Sequence, residues 1–206
     1  MGELIVLAQH LRDRPQRSSA SRPAFFFDLA CPLSYLAAER IERILGELEW
    51  IPVAASTLAI GARRPADTSM PALVRAEAER RARELRLPLV WPERFPGGVP
   101  RALRVAAHAG DIGAGARFAL AASRLAFCGG YDLEDTETIC EAAAAAGIAP
   151  EPCLLAAADE RRDQVLAATA GVLRVRGVEA LPAICLGGRF LGAEAVLARR
   201  PLAPPA

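Results

Sequence analysis

The chain is 206 residues long, 52% hydrophobic, and has a formal net charge of +1. That apolar content predicts a well-filled core and excludes intrinsic disorder. The balanced charge excludes long-range attraction to nucleic acid or an anionic membrane. All 25 basic residues are arginine, and neither lysine nor asparagine occurs, so any role those two residues usually fill must be met differently.

Leu4 to Ala8 is a short apolar patch with no basic start and with Arg12, Asp13, Arg14 and Arg17 close behind, so no secretory leader is expected. No run reaches the roughly 18 apolar residues of a membrane helix. The five cysteines (Cys31, Cys128, Cys140, Cys153, Cys185) are odd in number and form no CxxC pair. Free thiols in a reducing cytoplasm are therefore expected. No Cys/His spacing predicts a metal site.

Residues 1–22 are polar after the first patch and broken by Pro15, which predicts an N-terminal extension. Phe25-Phe26-Phe27 then reads as a buried strand, followed by a turn at Asp28-Leu29-Ala30 and a helix with Cys31 at its tip and Pro32 just inside. Proline suits the first helical position because no N–H is needed there. Unpaired backbone N–H groups and the helix dipole converge on the cysteine, and both favour the reactive thiolate. Tyr35, Leu36, Ile41, Ile44, Leu45 and Leu48 continue at helical spacing. Glu49 to Ala54 reads as a second strand that Pro52 confines to a sheet edge or a bulge. A helix of this length between the two strands implies parallel pairing.

No further strand is expected from Ala55 to about Ala158. Ser56 to Ser69 reads as loop and Pro71 to Arg86 as a helix. Its solvated face should carry Glu77–Arg81 and Glu79–Arg83 pairs at i,i+4. Leu87 to Pro100 is too rich in proline and glycine to form a regular element. Helices are expected at Arg101–Ala109, Ala114–Cys128, Leu133–Ala146 (stopped by Gly147), Glu151–Ala157 and Glu160–Val175 (closed by Gly177). Ala183 to Leu186 and Arg189 to Leu191 flank a Gly187-Gly188 turn, a strong hairpin signal. Gly192 to Arg200 reads as a last amphipathic helix. The predicted order is β-α-β, an all-helical insertion, then α-β-β-α. Residues 23–57 and 159–200 would form one discontinuous α/β domain, 58–158 the insertion, and 201–206 a tail.

This order, with a cysteine at the first helix tip and Pro182 opening the third strand, resembles the thioredoxin-like fold, and the insertion resembles its DsbA branch. FFFDLACPLSYLAAERI is similar to the opening of the kappa-class glutathione transferases and 2-hydroxychromene-2-carboxylate isomerases. PLVWPERF near residue 90 and VEALPAICLGGRFLGAEAV resemble later segments of the same group. The resemblance implies that Cys31 stands where that group usually has a serine facing the thiol of glutathione. DsbA-type oxidoreductases have cysteine there, within Cys-Pro-x-Cys. Here the fourth position is Ser34, so an internal disulfide cannot close within this motif.

Carried over on the same resemblance, Pro182 is a cis-proline that presents the Leu181 backbone to a peptide or thiol ligand. Glu194 is the remaining acid for the γ-glutamyl end of glutathione. Arg63 or Arg64 would replace the contacts to its glycyl carboxylate. Trp91 is either a core plug or a wall of the substrate pocket. Asp28 reads as a turn residue and His108 as a core or surface histidine. Cys128, Cys140, Cys153 and Cys185 read as core residues.

Three functions follow as expectations. In the first, an isomerase or transferase acts on a small electrophilic organic acid, using glutathione or another low-molecular-weight thiol, with Cys31 and Ser34 at the site. The second is a DsbA-like monothiol oxidoreductase. The third is a non-catalytic interaction module. A homodimer fits the resemblance without being required by the pattern.

Overall fold

The computed structural model describes residues 22–58 and 70–197. Almost all of the expected N-terminal extension, Arg63 and Arg64, and the tail lie outside these residues. In chain order the elements are β1 (Ala24–Phe27), α1 (Pro32–Leu45), β2 (Glu49–Pro52), α2 (Ala55–Leu58), α3 (Met70–Leu85), α4 (Pro100–Asp111) and α5 (Gly115–Phe127). They continue with α6 (Thr136–Ala145), α7 (Pro150–Ala158), α8 (Arg161–Val175), β3 (Ala183–Leu186), β4 (Arg189–Leu191) and α9 (Ala193–Leu197).

The four strands form one sheet in the order β2-β1-β3-β4. β1 pairs parallel with β2, while β1–β3 and β3–β4 are antiparallel. This is the expected α/β arrangement, with α3 to α7 falling between the two halves of the sheet. Pro52 is the last residue of an edge strand, where its missing N–H costs no ladder bond.

Three consecutive phenylalanines can all be buried because both faces of the sheet are covered. Phe25 and Phe27 face Trp50 and the insertion helices, among them Val105, Phe118 and Phe127. Phe26 faces the opposite layer of Val53, Leu58, Ala170, Leu173 and Leu181. Removing each such ring from water contributes roughly 1.5–3 kcal/mol, so β1 anchors two cores at once.

Several boundaries differ from the sequence expectation for local reasons. β2 stops at Pro52, and the expected loop at residue 56 begins instead as the helical turn α2. The buried Asp28 carboxylate causes this by accepting the Ala55 N–H at 2.7 Å. α6 starts at Thr136, not Leu133, because Asp135 caps it through the Thr138 N–H. Gly147 and Gly177 both have positive φ just past helix ends, as expected. On α3 the Glu77–Arg81 pair forms at 2.9 Å. Glu79, expected to pair with Arg83, accepts instead from Trp91 Nε1 at 3.2 Å. Among the described residues no helix is long and apolar enough to cross a membrane.

Candidate active site

Cys31 occupies the N-cap of α1 with extended backbone angles, and Pro32 follows as the first helical residue. The Cys31 carbonyl accepts the N–H groups of Ser34 (3.0 Å) and Tyr35 (3.2 Å). Its own N–H donates to Asp28 O at 3.1 Å, closing the turn that leaves β1. The Cys31 thiol donates to Leu181 O at 3.6 Å. Ser34 is buried, and its hydroxyl oxygen accepts the Asp28 N–H at 3.2 Å. The first helix tip and the end of the segment before β3 therefore meet at one sulfur.

The expected thiolate is not what this environment favours. Cys31 keeps some surface as a residue, but its sulfur is closely surrounded, and that burial pushes the thiol above its ordinary range. The Ser34 hydroxyl and the N–H groups of Ser34 and Leu33 favour the anion, and the Asp28 carboxylate disfavours it. The amide dipoles act in the expected direction and are outweighed by desolvation. Asp28 is itself raised by burial, although Ala30 N–H (2.8 Å) and Ala55 N–H (2.7 Å) both donate to its carboxylate. It serves as a turn residue, as expected, and also as a clamp between β1 and α2.

The Leu181–Pro182 peptide bond is cis, and the Leu181 carbonyl lies at the Cys31 sulfur. Glu194, on α9, is not waiting for a ligand. Arg81 Nη2 reaches it from α3, with 2.6 Å to Oε1. The Arg81 side chain is only 12% exposed and bonds Glu77 as well. It is therefore not part of a simple solvated face. This ion pair ties α3 to α9.

A small half-open cleft of about 30 Å³ lies next to the turn that precedes Cys31, and Cys31 does not itself line it. Leu29 and Ala30 form its wall nearest Cys31. Phe95, Val99, Phe127 and Leu133 supply apolar surface, and Arg94, Tyr131 and Asp132 supply polar groups. Arg94 pairs with Asp132 at 3.2 Å. Trp91 does not line the cleft. It backs Phe95 at 4.6 Å between ring centroids, and the Arg75 guanidinium lies 4.6 Å from its ring. The sequence marked this segment as an irregular loop and, by resemblance, offered Trp91 as either a core plug or a pocket wall. Its lining residues carry no periodicity, so the proline at 92 and the aromatics were the available signals.

The loop is pinned by buried groups. Tyr35, one turn along α1 from Cys31, donates its hydroxyl to Pro88 O at 2.9 Å. With that proton committed, the Cys128 thiol is the donor in the 3.2 Å contact with the Tyr35 oxygen. Val90 N–H donates to Phe127 O at 2.7 Å.

Chemically, the site offers a neutral thiol, a neighbouring hydroxyl, the buried Leu181 carbonyl and a small, mostly apolar cleft nearby. At the Cys31–Leu181 end, the S–H and the backbone carbonyl are bonded to each other. The other end departs from the glutathione pattern, because Arg81 already occupies the Glu194 carboxylate. Among the described residues no cluster of three or more His, Cys, Asp or Glu could hold a metal ion.

No curated protein matches the chain. Among solved structures, a 2-hydroxychromene-2-carboxylate isomerase superposes with a TM-score of 0.71 at 16% identity, covering 82% of this chain and 87% of the other. A probable DsbA oxidoreductase from Streptomyces coelicolor gives 0.67 at 18% identity, covering 85% and 86%. At these identities the likeness is one of fold. The model of the DSBA-like thioredoxin domain matches residues 24–198, and the chain belongs to that family.

Proposed function

We propose that this protein is a thiol-dependent isomerase or transferase acting on a small electrophilic organic acid, in the manner that the name of its isomerase neighbour suggests. The observation that carries this reading is the Cys31 thiol, protonated and donating to Leu181 O with Ser34 at the fourth position of the motif. A disulfide oxidoreductase works best with a resting thiolate and a resolving thiol. The groups acting most strongly on Cys31 include neither a positive side chain nor a second cysteine. A neutral S–H can do what a serine hydroxyl does, namely donate a hydrogen bond to an anionic sulfur bound beside it.

Glutathione or another low-molecular-weight thiol, when bound, would supply a nucleophilic sulfur at Cys31 and the Leu181 backbone. The chain's own residues then have separable roles. Cys31 turns its S–H from Leu181 O towards the bound sulfur and holds it as an anion. The Ser34 hydroxyl supports the Cys31 sulfur. The apolar walls of the cleft exclude water from the substrate body, and Arg94 at the rim offers a cation to its acid group once Asp132 gives way.

The test pairs two variants with two assays. Cys31→Ser should retain thiol-dependent turnover of electrophilic carboxylates, and Cys31→Ala should lose most of it. Catalysed reduction of a protein disulfide by the wild type, abolished in Cys31→Ser, would replace this reading with the oxidoreductase one. That second reading is favoured by one feature, the cysteine itself beside the cis-proline segment, where an extended peptide could pair with the Leu181 backbone in place of Cys31.

A further inference from the structure

Away from the cleft, α6 and α7 bring two more thiols together. Cys153, on α7, is fully buried and its thiol donates to Ile139 O at 3.9 Å. That carbonyl is bonded to the nitrogen of Cys140, so the Cys153 sulfur lies against the peptide group leading into Cys140. The Cys140 thiol is near enough to help push the Cys153 thiol up. Cys140 is only half-buried, and both cysteines are free. The turn at Ala146 to Ala149, with Gly147 at φ +80°, folds the two helices back on one another.

We propose that Cys140 and Cys153 are a redox-active dithiol that small disulfides convert into an α6–α7 staple. The less buried member, Cys140, reacts first. The Cys140 sulfur, as thiolate, attacks one sulfur of a low-molecular-weight disulfide, forming a mixed disulfide and releasing one thiolate. Cys153 then loses its proton and attacks the Cys140 sulfur, closing the protein disulfide and releasing the second thiolate. The two cysteine protons end on the two released thiols. The protein pair is oxidised and the small disulfide is reduced, with no other co-reactant.

The surroundings support this order of events. Burial holds Cys153 up at about 12, so it does not compete for the oxidant, while the nearby Arg101 charge favours its anion once exchange begins. Arg101 is fixed for that role by bonds to Glu134 O (2.6 Å) and Thr136 Oγ1 (3.0 Å). The staple would close a short loop within the insertion, the geometry in which a cross-link removes freedom chiefly from the unfolded chain.

The experiment incubates the full chain with oxidised glutathione, denatures it, alkylates free thiols and maps the peptides by mass. The expected result is a linked pair of peptides containing Cys140 and Cys153, with alkylatable thiols falling from five to three. Cys31→Ser should show the same link, which separates this dithiol from the proposed active site. Cys140→Ser should lose it and should lose the accompanying rise in Tm, expected at roughly 5–10 °C. Five free thiols after oxidation, a persistent glutathione adduct on Cys140, or a link to another cysteine would each overturn the proposal.

Discussion

The thiol of Cys31 donates to the carbonyl of Leu181, a residue 150 positions away in sequence, across 3.6 Å. This one contact joins the helix tip after β1 to the segment entering β3. A thiolate would gain nothing from a carbonyl at that distance, so the contact and the burial of the sulfur both favour the protonated thiol. At neutral pH, iodoacetamide should therefore alkylate Cys31 slowly. The rate should climb about tenfold per pH unit, with no plateau at the ordinary thiol value of 9.0. Ser34→Ala should slow the reaction further at any given pH, because it removes a group that favours the anion. A plateau at or below pH 7, measured by quenched alkylation and mass spectrometry, would show that the dipoles win after all.

Asp28 acts on the same sulfur from the opposite direction. Its negative charge raises the Cys31 thiol, so Asp28→Asn should lower it and speed alkylation several-fold at neutral pH. The substitution should also change stability with a definite sign. The folded chain holds the Asp28 proton more tightly than the unfolded chain, whose ordinary value is 3.8. Stability linked to this group is thus complete below that value and is lost as pH rises through the raised folded value. Urea midpoints of the wild type should fall across that window, and those of Asp28→Asn should fall less. The amide cannot accept from Ala30 and Ala55 as a carboxylate does, so an overall cost of about 1–3 kcal/mol is expected beneath the flatter profile.

Arg81 and Glu194 make a third case. The Glu194 side chain is 81% exposed and that of Arg81 only 12%, so the pair sits at the boundary where ion pairs contribute little. A double-mutant cycle with Arg81→Gln and Glu194→Gln should give a coupling of about 0.2–1 kcal/mol, shrinking with added salt. The pair also bears on ligand choice. If Arg81 keeps Glu194 from a thiol ligand, Arg81→Gln should raise glutathione affinity a few-fold by calorimetry, while Glu194→Gln alone should leave it unchanged. Weaker binding in Glu194→Gln would assign that carboxylate to the ligand.

What the sequence made legible was local. Phe25 to Phe27, the Cys31-Pro32 helix start and the Gly187-Gly188 hairpin each announce themselves within a few residues, and together they place the thiol at the end of β1. The four strands and the helical middle follow from the same signals. What it did not disclose depends on chain segments meeting. The raised Cys31 thiol comes from burial that no motif encodes. Arg81 appeared to belong to a helix-face ion-pair pattern, yet it reaches 113 residues ahead to Glu194. Phe95 and Arg94 sit in a loop without periodicity, and only the fold brings them opposite Leu29 and Tyr131.

A buried hydroxyl is one anchor of the loop that builds the cleft. Tyr35 is 1% exposed, stacks on Phe127 at 5.7 Å and donates to Pro88 O. Tyr35→Phe keeps the ring packing and removes the hydroxyl, leaving the Pro88 carbonyl without its donor and the Cys128 thiol without its acceptor. The expected loss is about 1 kcal/mol of global stability, the usual net cost of one such hydrogen bond. The local effect should be larger than the global one, because the neighbouring Val90–Phe127 backbone bond depends on the same anchoring. Hydrogen exchange at the Val90 amide should accelerate by more than exchange in β1, whose protection reports global unfolding. Equal acceleration at both positions would mean that the tyrosine stabilises the whole fold and gives the cleft no separate support.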